Sequence, residues 1–195
     1  MPKIVNHEER RREVTAVAVE LVTSHGRGAL TVRNVAKAAG CSTTVVSHYF
    51  EDMAELFYET YDYAARRSSL RIAKALENDP GDVVSLVEAV LPLDKERTED
   101  WRLWFAFWSE ALTTPRYSEE QRRRARNAIV RIETCLRIAV SRGEIDKSVD
   151  IASAAERLGA LTAGIASEAI FDPKKWTPAR QRNALRTELQ LLGLH

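Results

Sequence analysis

Five side chains with hydrogen-bonding groups cluster near the amino-terminal end of the chain: Thr43, Thr44, Ser47, His48 and Tyr49. Hydroxyl and imidazole groups bond to base edges or phosphate oxygens, and a threonine methyl packs against the methyl group of thymine. None of the five carries a carboxylate, which DNA phosphates would repel. Taken singly, each is more often a hydrated surface residue, but the combined pattern is typical of a face that reads the major groove.

A helix-turn-helix is predicted to hold these residues in place. Residues 31–50 read TVRNVAKAAGCSTTVVSHYF, in which Thr31 and Ser42 are N-caps for two short helices joined by a glycine-containing turn. Because the second helix is too short to be stable alone, Val46 and Phe50 must anchor it on its neighbours. The opposite, polar side then faces outward.

Helical periodicity continues along the rest of the chain without a strand pattern, so we predict an all-α fold of nine helices. The first begins near Asn6 or His7 and ends at Gly26, and Asp52 caps a long fourth helix that runs to about Asn78. Five further helices are expected near residues 87, 105, 130, 160 and 186. We predict two domains, residues 1–51 for DNA binding and residues 52–195 for ligand binding and dimerisation.

Composition and charge are those of an ordinary globular chain of 195 residues, 45% hydrophobic and 29% charged. No stretch approaches the roughly 20 apolar residues of a membrane span, and the start lacks the apolar run of a signal peptide. We therefore expect a cytoplasmic protein without a membrane partner. Residues 1–50 carry a net charge of +3 and the remainder −2, so any attraction to a polyanion belongs to the amino-terminal part.

One predicted helix, around residues 98–112, concentrates the large aromatic side chains. A helix that is apolar on every side must be central, and an aromatic core accounts for most of these residues. Indole N–H groups need partners, however, and the rings lie near the tyrosines of the fourth helix if the two helices pack together. We therefore predict a ligand pocket lined by Tyr58, Tyr61, Trp101, Trp104, Phe105 and Trp108.

A second predicted helix, residues 150–171, is rich in alanine and glycine, which allow helix axes to approach closely. An internal packing helix is one interpretation. The other, which resemblance to a known family implies, is a dimer interface built with the apolar end of the last helix. Dimerisation is also a functional requirement, since one recognition helix reads too few bases for specificity. The residues predicted for this interface are Ala155, Gly159, Ala163, Gly164, Leu185 and Leu189.

The motif resembles the tetracycline-repressor (TetR) family. The resemblance lies in the capped helix with its apolar-Ala pattern, the turn Ala39-Gly40-Cys41-Ser42, and Tyr49-Phe50 before an acidic cap and a long helix. It implies a homodimer that binds a palindromic double-stranded DNA operator and is released by a small-molecule effector, without cofactor or metal. The contacts that it implies are phosphate for Thr31 and Arg33, bases for Thr43, Thr44, Ser47 and His48, and the DNA backbone for Tyr49.

Two positions depart from the family pattern. Ser47 stands where a tyrosine is common, and Met53 stands where a phosphate-binding lysine usually opens the fourth helix. The tetrad Ser47-His48-Tyr49-Phe50 and the tryptophan-rich helix resemble the choline-responsive, BetI-like subgroup. Aromatic rings suit a quaternary ammonium ligand, but their presence alone does not select one.

The run from Arg10 to Arg12, together with Lys3, has two equal interpretations. It lies along a phosphate strand or in a minor groove, or it forms a solvated helix face on which neighbouring acids offset its charge. Those acids are Glu8, Glu9 and Glu13.

Two alternatives to a ligand-controlled regulator remain. An all-α enzyme would need paired catalytic or metal-binding residues, and the four histidines, His7, His25, His48 and His195, are scattered. A redox regulator would act through Cys41, which is more simply a buried thiol. Cys41 and Cys135 are far apart in the sequence and are expected to be reduced core residues rather than a disulfide.

Overall fold

The computed structural model describes residues 7–193, and this part of the chain contains nine α-helices and a short 3₁₀ turn at Arg27–Ala29. The predicted all-α architecture is confirmed. The helices are α1 (His7–His25), α2 (Val32–Ala38), α3 (Thr43–Tyr49), α4 (Met53–Ala75), α5 (Val83–Glu88), α6 (Lys95–Ala111), α7 (Pro115–Ser141), α8 (Ile151–Phe171) and α9 (Pro178–Leu191).

Side-chain caps set most helix starts. The predicted caps Thr31, Ser42 and Asp52 each accept a hydrogen bond from the backbone N–H three residues onward. Four more helices begin in the same way, at Asp82, Asp94, Asp150 and Thr177. Capping depends on neighbouring residues alone, which is why the sequence predicts these starts well.

The fourth helix ends earlier than predicted. α4 stops at Ala75, with Leu76 as its C-cap, instead of near Asn78. In the turn that follows, the Asp79 carboxylate accepts the Gly81 N–H at 2.8 Å. α3 stops at Tyr49, because Phe50 adopts an extended backbone that brings its ring into the core.

The core forms two clusters. One joins α1, α2, α3, the first half of α4, and residues of α6 and α7. The other joins α5, α7, α8 and α9. Both clusters meet α4, since the first contains Leu56 and Phe57 whereas the second contains Ile72. This helix therefore connects the two halves of the molecule.

A buried ion-pair cluster holds the second half of α4 against α6. The carboxylate of Asp100 is fully buried and accepts hydrogen bonds from Arg67, with Nε at 2.9 Å, and from Arg71. Nearby, the Trp101 indole donates to the Val90 carbonyl at 2.8 Å. A carboxylate that meets two guanidiniums out of water makes a strong and directional connection between helices.

The helices between residues 7 and 193 include none that is long and apolar enough to cross a membrane. In the same part of the chain, no group of His, Cys, Asp or Glu residues is arranged to hold a metal ion. Cys41 and Cys135 are both free thiols. Cys135 is buried, but Cys41 is only half-buried, so the prediction of a core thiol fits the second cysteine better than the first.

Candidate DNA-binding face and ligand cavity

α3 has one buried side and one open side. Val46 and Phe50 are 0% and 2% exposed, so they anchor the helix as predicted. The side chains on the opposite side are Thr43, Thr44, Ser47 and His48, all of which are exposed, while Tyr49 is half-buried. The open side therefore offers three hydroxyls and an imidazole, without a carboxylate.

Arg11 joins three helices behind this face. Its guanidinium donates to the Tyr49 carbonyl at 2.8 Å, to Glu55 at 2.8 Å and to Glu59 at 2.9 Å, and it lies over the Phe50 ring at 4.5 Å. The hydrogen bond from Arg11 holds the pKa of Glu55 below its ordinary value. Arg11 thus fixes the orientation of α3 relative to α1 and α4.

Of the two interpretations of the arginine run, contact with phosphate does not fit Arg11, whose charge is used inside the protein. Arg10 pairs with Glu13, and Arg12 is highly exposed with Glu8 at 4.0 Å, as in a solvated helix face. Lys3 lies outside the described residues.

The two predicted phosphate contacts of α2 lie at the surface. Thr31 and Arg33 are both exposed, and the exposed Lys37 follows one turn later on the same helix. The Thr31 hydroxyl oxygen already accepts the Asn34 N–H at 3.2 Å, so only its hydrogen is free to donate to a phosphate. Tyr49 is held by His7, whose Nδ1 lies 3.1 Å from the phenol oxygen.

A cavity of about 880 Å³ lies among α4, α5, α6, α7 and α8. Of the six predicted pocket residues, Tyr61, Trp101, Trp104 and Trp108 line it. Tyr58 and Phe105 are not among its lining residues. Tyr58 donates to Glu120 at 3.1 Å, and the Phe105 ring packs on Trp101 and Trp108 at centroid distances of 5.4 and 5.3 Å. These two rings therefore contact residues of the cavity wall or of α7 without lining the cavity themselves.

Sequence reasoning missed the polar wall that α7 contributes. Its lining side chains include Gln121, Arg123, Arg124, Asn127 and Arg131. The stretch RRRARN looks like a solvated helix face in the sequence, and only packing against α4 makes one side of it a cavity wall. The sequence signal for this wall is the helical spacing of Gln121, Arg124, Ala128 and Ile132, which recur every three or four residues and all line the cavity.

Glu120 of α7 accepts hydrogen bonds from two arginines that line this cavity. Hydrogen bonds from Arg123, then from Arg124 and Tyr58, lower the pKa of Glu120 to about 2. Because the folded pKa lies below the ordinary value of 4.5, this group stabilises the fold fully above that value and loses the effect as pH falls toward 2.

Glu120→Gln is therefore expected to lower the free energy of unfolding by about 1–2 kcal/mol at pH 7 and to change it little at pH 2.5. Urea unfolding at the two pH values measures this difference. The neighbouring exposed Glu119→Gln is the matched control and should change neither. An equal loss of stability for Glu120→Gln at both pH values would show that the lowered pKa of Glu120 does not stabilise the fold.

The residues predicted for a dimer interface separate into three groups. Ala155, Leu185 and Leu189 are buried at 0%, 1% and 2% exposure within the subunit, so their assignment to an interface is wrong. They pack in the second core cluster. Gly159 and Ala163 line the cavity, and a Cβ on Gly159 would lie 2.6 Å from Ile129 of α7. Of the six, only Gly164 is exposed.

Comparison with known proteins identifies both halves of the chain. Residues 14–60 match the model of the bacterial regulatory proteins of the tetR family, and residues 79–193 match the model of the BetI-type transcriptional repressor, C-terminal part. The regulator PksA of Bacillus subtilis is 25% identical over 194 residues, which cover 97% of this chain and 93% of PksA. BetI of Paraburkholderia phytofirmans is 32% identical over 120 residues, covering 59% of this chain and 61% of that relative.

Solved structures share the fold. A transcriptional regulator from Rhodococcus sp. Rha1 superposes with a TM-score of 0.81 at 23% identity, covering 93% of this chain and 95% of its own. A regulator from Saccharomonospora viridis in complex with choline gives a TM-score of 0.79 at 20% identity, with 94% and 96% coverage. Because the repressor model spans more than half of the chain and follows a matching helix-turn-helix, the chain belongs to the tetR family of bacterial regulatory proteins, with a BetI-type C-terminal part, and is a DNA-binding transcriptional regulator rather than an enzyme.

Proposed function

We propose that this regulator binds a palindromic operator as a homodimer and is released by a small molecule that occupies the cavity. The observation that carries the proposal is the continuity of α4. Its first turns hold Arg11 and the recognition helix through Glu55 and Glu59, and its later turns, from Tyr61 to Ile72, line the cavity. A ligand that shifts α4 would therefore change the separation of two recognition helices.

The proposed DNA contacts follow from exposure. Thr43, Thr44, Ser47 and His48 read bases, whereas Thr31, Arg33 and Tyr49 hold the backbone in the division expected of a helix-turn-helix. Residues 1–51 form the DNA-binding part and residues 52–195 the sensing part in this proposal. Two half-sites are expected about 34–36 Å apart.

A mobility-shift titration against the DNA upstream of its own gene tests this directly. We expect a preference over scrambled DNA of the same length and a steep loss of affinity with added salt. Equal affinity for the two DNAs at low salt would reject operator binding.

The proposed dimer surface is the outer face of α8 and α9. Its small exposed residues include Ala160 and Gly164, and the same two helices expose two large apolar side chains, Phe171 at 83% and Leu191 at 73%. Large apolar side chains left this exposed are characteristic of a surface that a partner covers.

Gly164→Arg tests the dimer without disturbing the subunit, because a Cβ at this position meets no atom within 4 Å. We expect the dimer dissociation constant to rise about a hundredfold, since an unpaired charge would be buried between subunits. Analytical ultracentrifugation measures the change. Gly28→Arg, at another exposed glycine with open space around its Cβ, is the matched control and should remain dimeric. A Gly164→Arg protein as dimeric as the wild type would place the interface elsewhere.

A further inference from the structure

The charged side chains of the cavity leave one positive charge unpaired. Four of its five charged lining residues are arginines, and Asp62 supplies the only carboxylate among the lining residues, all of which lie within the described part of the chain. Both Asp62 oxygens are already used, one by Arg124 at 2.8 Å and the other by Arg66. Arg123 and Arg124 also pair with Glu120, so Arg131 is the one lining arginine without an ion pair to any residue between 7 and 193. An ammonium ligand would meet this unpaired guanidinium and no unpaired carboxylate among the lining residues.

Tyr61 has no open face to offer a cation. Phe107 stacks on one side of its ring, with centroids 3.7 Å apart and planes 5° from parallel. The Arg124 guanidinium lies over the ring at 4.6 Å, too close to share that side with Phe107. The cation–π position at Tyr61 is thus filled by the protein itself.

The polar groups that remain unused in the lining include four that only donate hydrogen bonds, beside the side chains of Ser68, Ser69 and Asn127, which can donate or accept. The indole N–H groups of Trp104 and Trp108, the Gln121 amide nitrogen and the Arg131 guanidinium make no hydrogen bond or ion pair to any residue between 7 and 193. Indole and guanidinium groups donate but cannot accept. A ligand that brings acceptor atoms would satisfy these donors.

The rest of the wall is apolar. α5 contributes two aliphatic side chains, Leu86 and Val87, and the segment that follows it contributes Val90. α7 contributes Ile129 and Ile132. With the tryptophans, these residues would surround a hydrocarbon or aromatic body, while the arginines of α7 would face its polar end. Arg131 is exposed, so it lies on the open side of the cavity.

We infer that the effector is an organic anion with an apolar body, a carboxylic acid in its ionised form, rather than a quaternary ammonium compound. This inference rests on the proposed function, since it names the ligand class of the same cavity. Arg131 pairs with the carboxylate, and the tryptophan wall covers the body.

Three probes with one apolar chain and different charges test the ligand class: octanoate, octanamide and octyltrimethylammonium. Quenching of indole fluorescence reports binding, because Trp101, Trp104 and Trp108 line the cavity. Octanoate is expected to bind at least about tenfold more tightly than octanamide, as a charge-assisted hydrogen bond would give. Octyltrimethylammonium and choline should bind more weakly than octanamide. An ammonium probe that binds as well as octanoate overturns the inference.

Arg131→Gln locates the anion. It should reduce the preference for octanoate over octanamide at least about fivefold and leave octanamide binding unchanged. Arg126→Gln, an exposed arginine of the same helix that does not line the cavity, is the matched control. An equal loss for both probes in Arg131→Gln would contradict a pairing with the carboxylate.

The operator assay separates this inference from the proposed function. If the protein binds its operator but none of the octyl probes, or prefers the ammonium, the ligand class is wrong and DNA binding stands. If octanoate binds the cavity but the operator is not preferred over scrambled DNA, the ligand class stands and the proposed operator function fails.

Discussion

A carboxylate introduced at Thr44 lowers the affinity for operator DNA by about a hundredfold or more while leaving the fold intact. Thr44 is exposed in the first turn of α3, and in our proposal it lies against base edges and phosphates. A negative charge at that distance from DNA meets like charge, which costs several kcal/mol. The same charge is favourable for the protein alone, because acidic residues stabilise the first turn of a helix.

The Thr44→Glu experiment therefore separates binding from folding. A mobility-shift titration measures the affinity, and thermal unfolding should show a melting temperature equal to or above that of the wild type. Thr134→Glu, exposed on α7, adds the same charge elsewhere and should keep nearly full affinity. If Thr44→Glu bound the operator as well as Thr134→Glu does, α3 would not be the reading helix.

Asp100→Ala has the largest expected effect on stability. Arg67 and Arg71 both donate to this fully buried carboxylate, and its removal leaves two partly buried guanidiniums without their main partner. Breaking one side of a buried ion pair costs about 3–5 kcal/mol, and the remaining carbonyl acceptors of the arginines place this case near 3 kcal/mol. Equilibrium unfolding in urea measures the loss.

Glu96→Ala is the matched comparison. Glu96 pairs with Arg71 in the same cluster, but its side chain is 48% exposed, so its loss should cost less than about 1 kcal/mol. Similar losses for the two variants would show that burial of Asp100 contributes little. Because Arg67 and Arg71 lie within the cavity-lining stretch of α4, Asp100→Ala should also weaken octanoate binding through misplacement of that wall.

The parts of the fold that depend on neighbouring residues were predictable. Capping residues such as Asp52 and the turn at Gly40, where φ is +60°, act over a few positions. The helix-turn-helix can therefore be predicted from neighbouring residues alone. The anchoring of α3 by Val46 also follows, since only one side of so short a helix can be buried.

The cavity and the subunit surface depend on packing between distant residues, and here prediction was partial. Tyr61 and three tryptophans line the cavity, but the rotation of α4 turns Tyr58 toward Glu120 instead. Small residues of α8 look alike in the sequence whether they face α7, as Gly159 does, or solvent, as Gly164 does. Whether such a residue is covered depends on which helix packs against its face, and a periodic sequence pattern does not indicate which helix that is.

The uninterrupted run of α4 has a consequence for building hybrid regulators. Its 23 residues span about 34 Å, and each residue turns the helix by about 100°. One residue inserted at Thr60, between the Arg11 contacts and the cavity, would leave both ends chemically intact yet point them in unrelated directions. The DNA-binding part and the sensing part of related chains can therefore be exchanged only at junctions that keep the number of α4 residues between them unchanged.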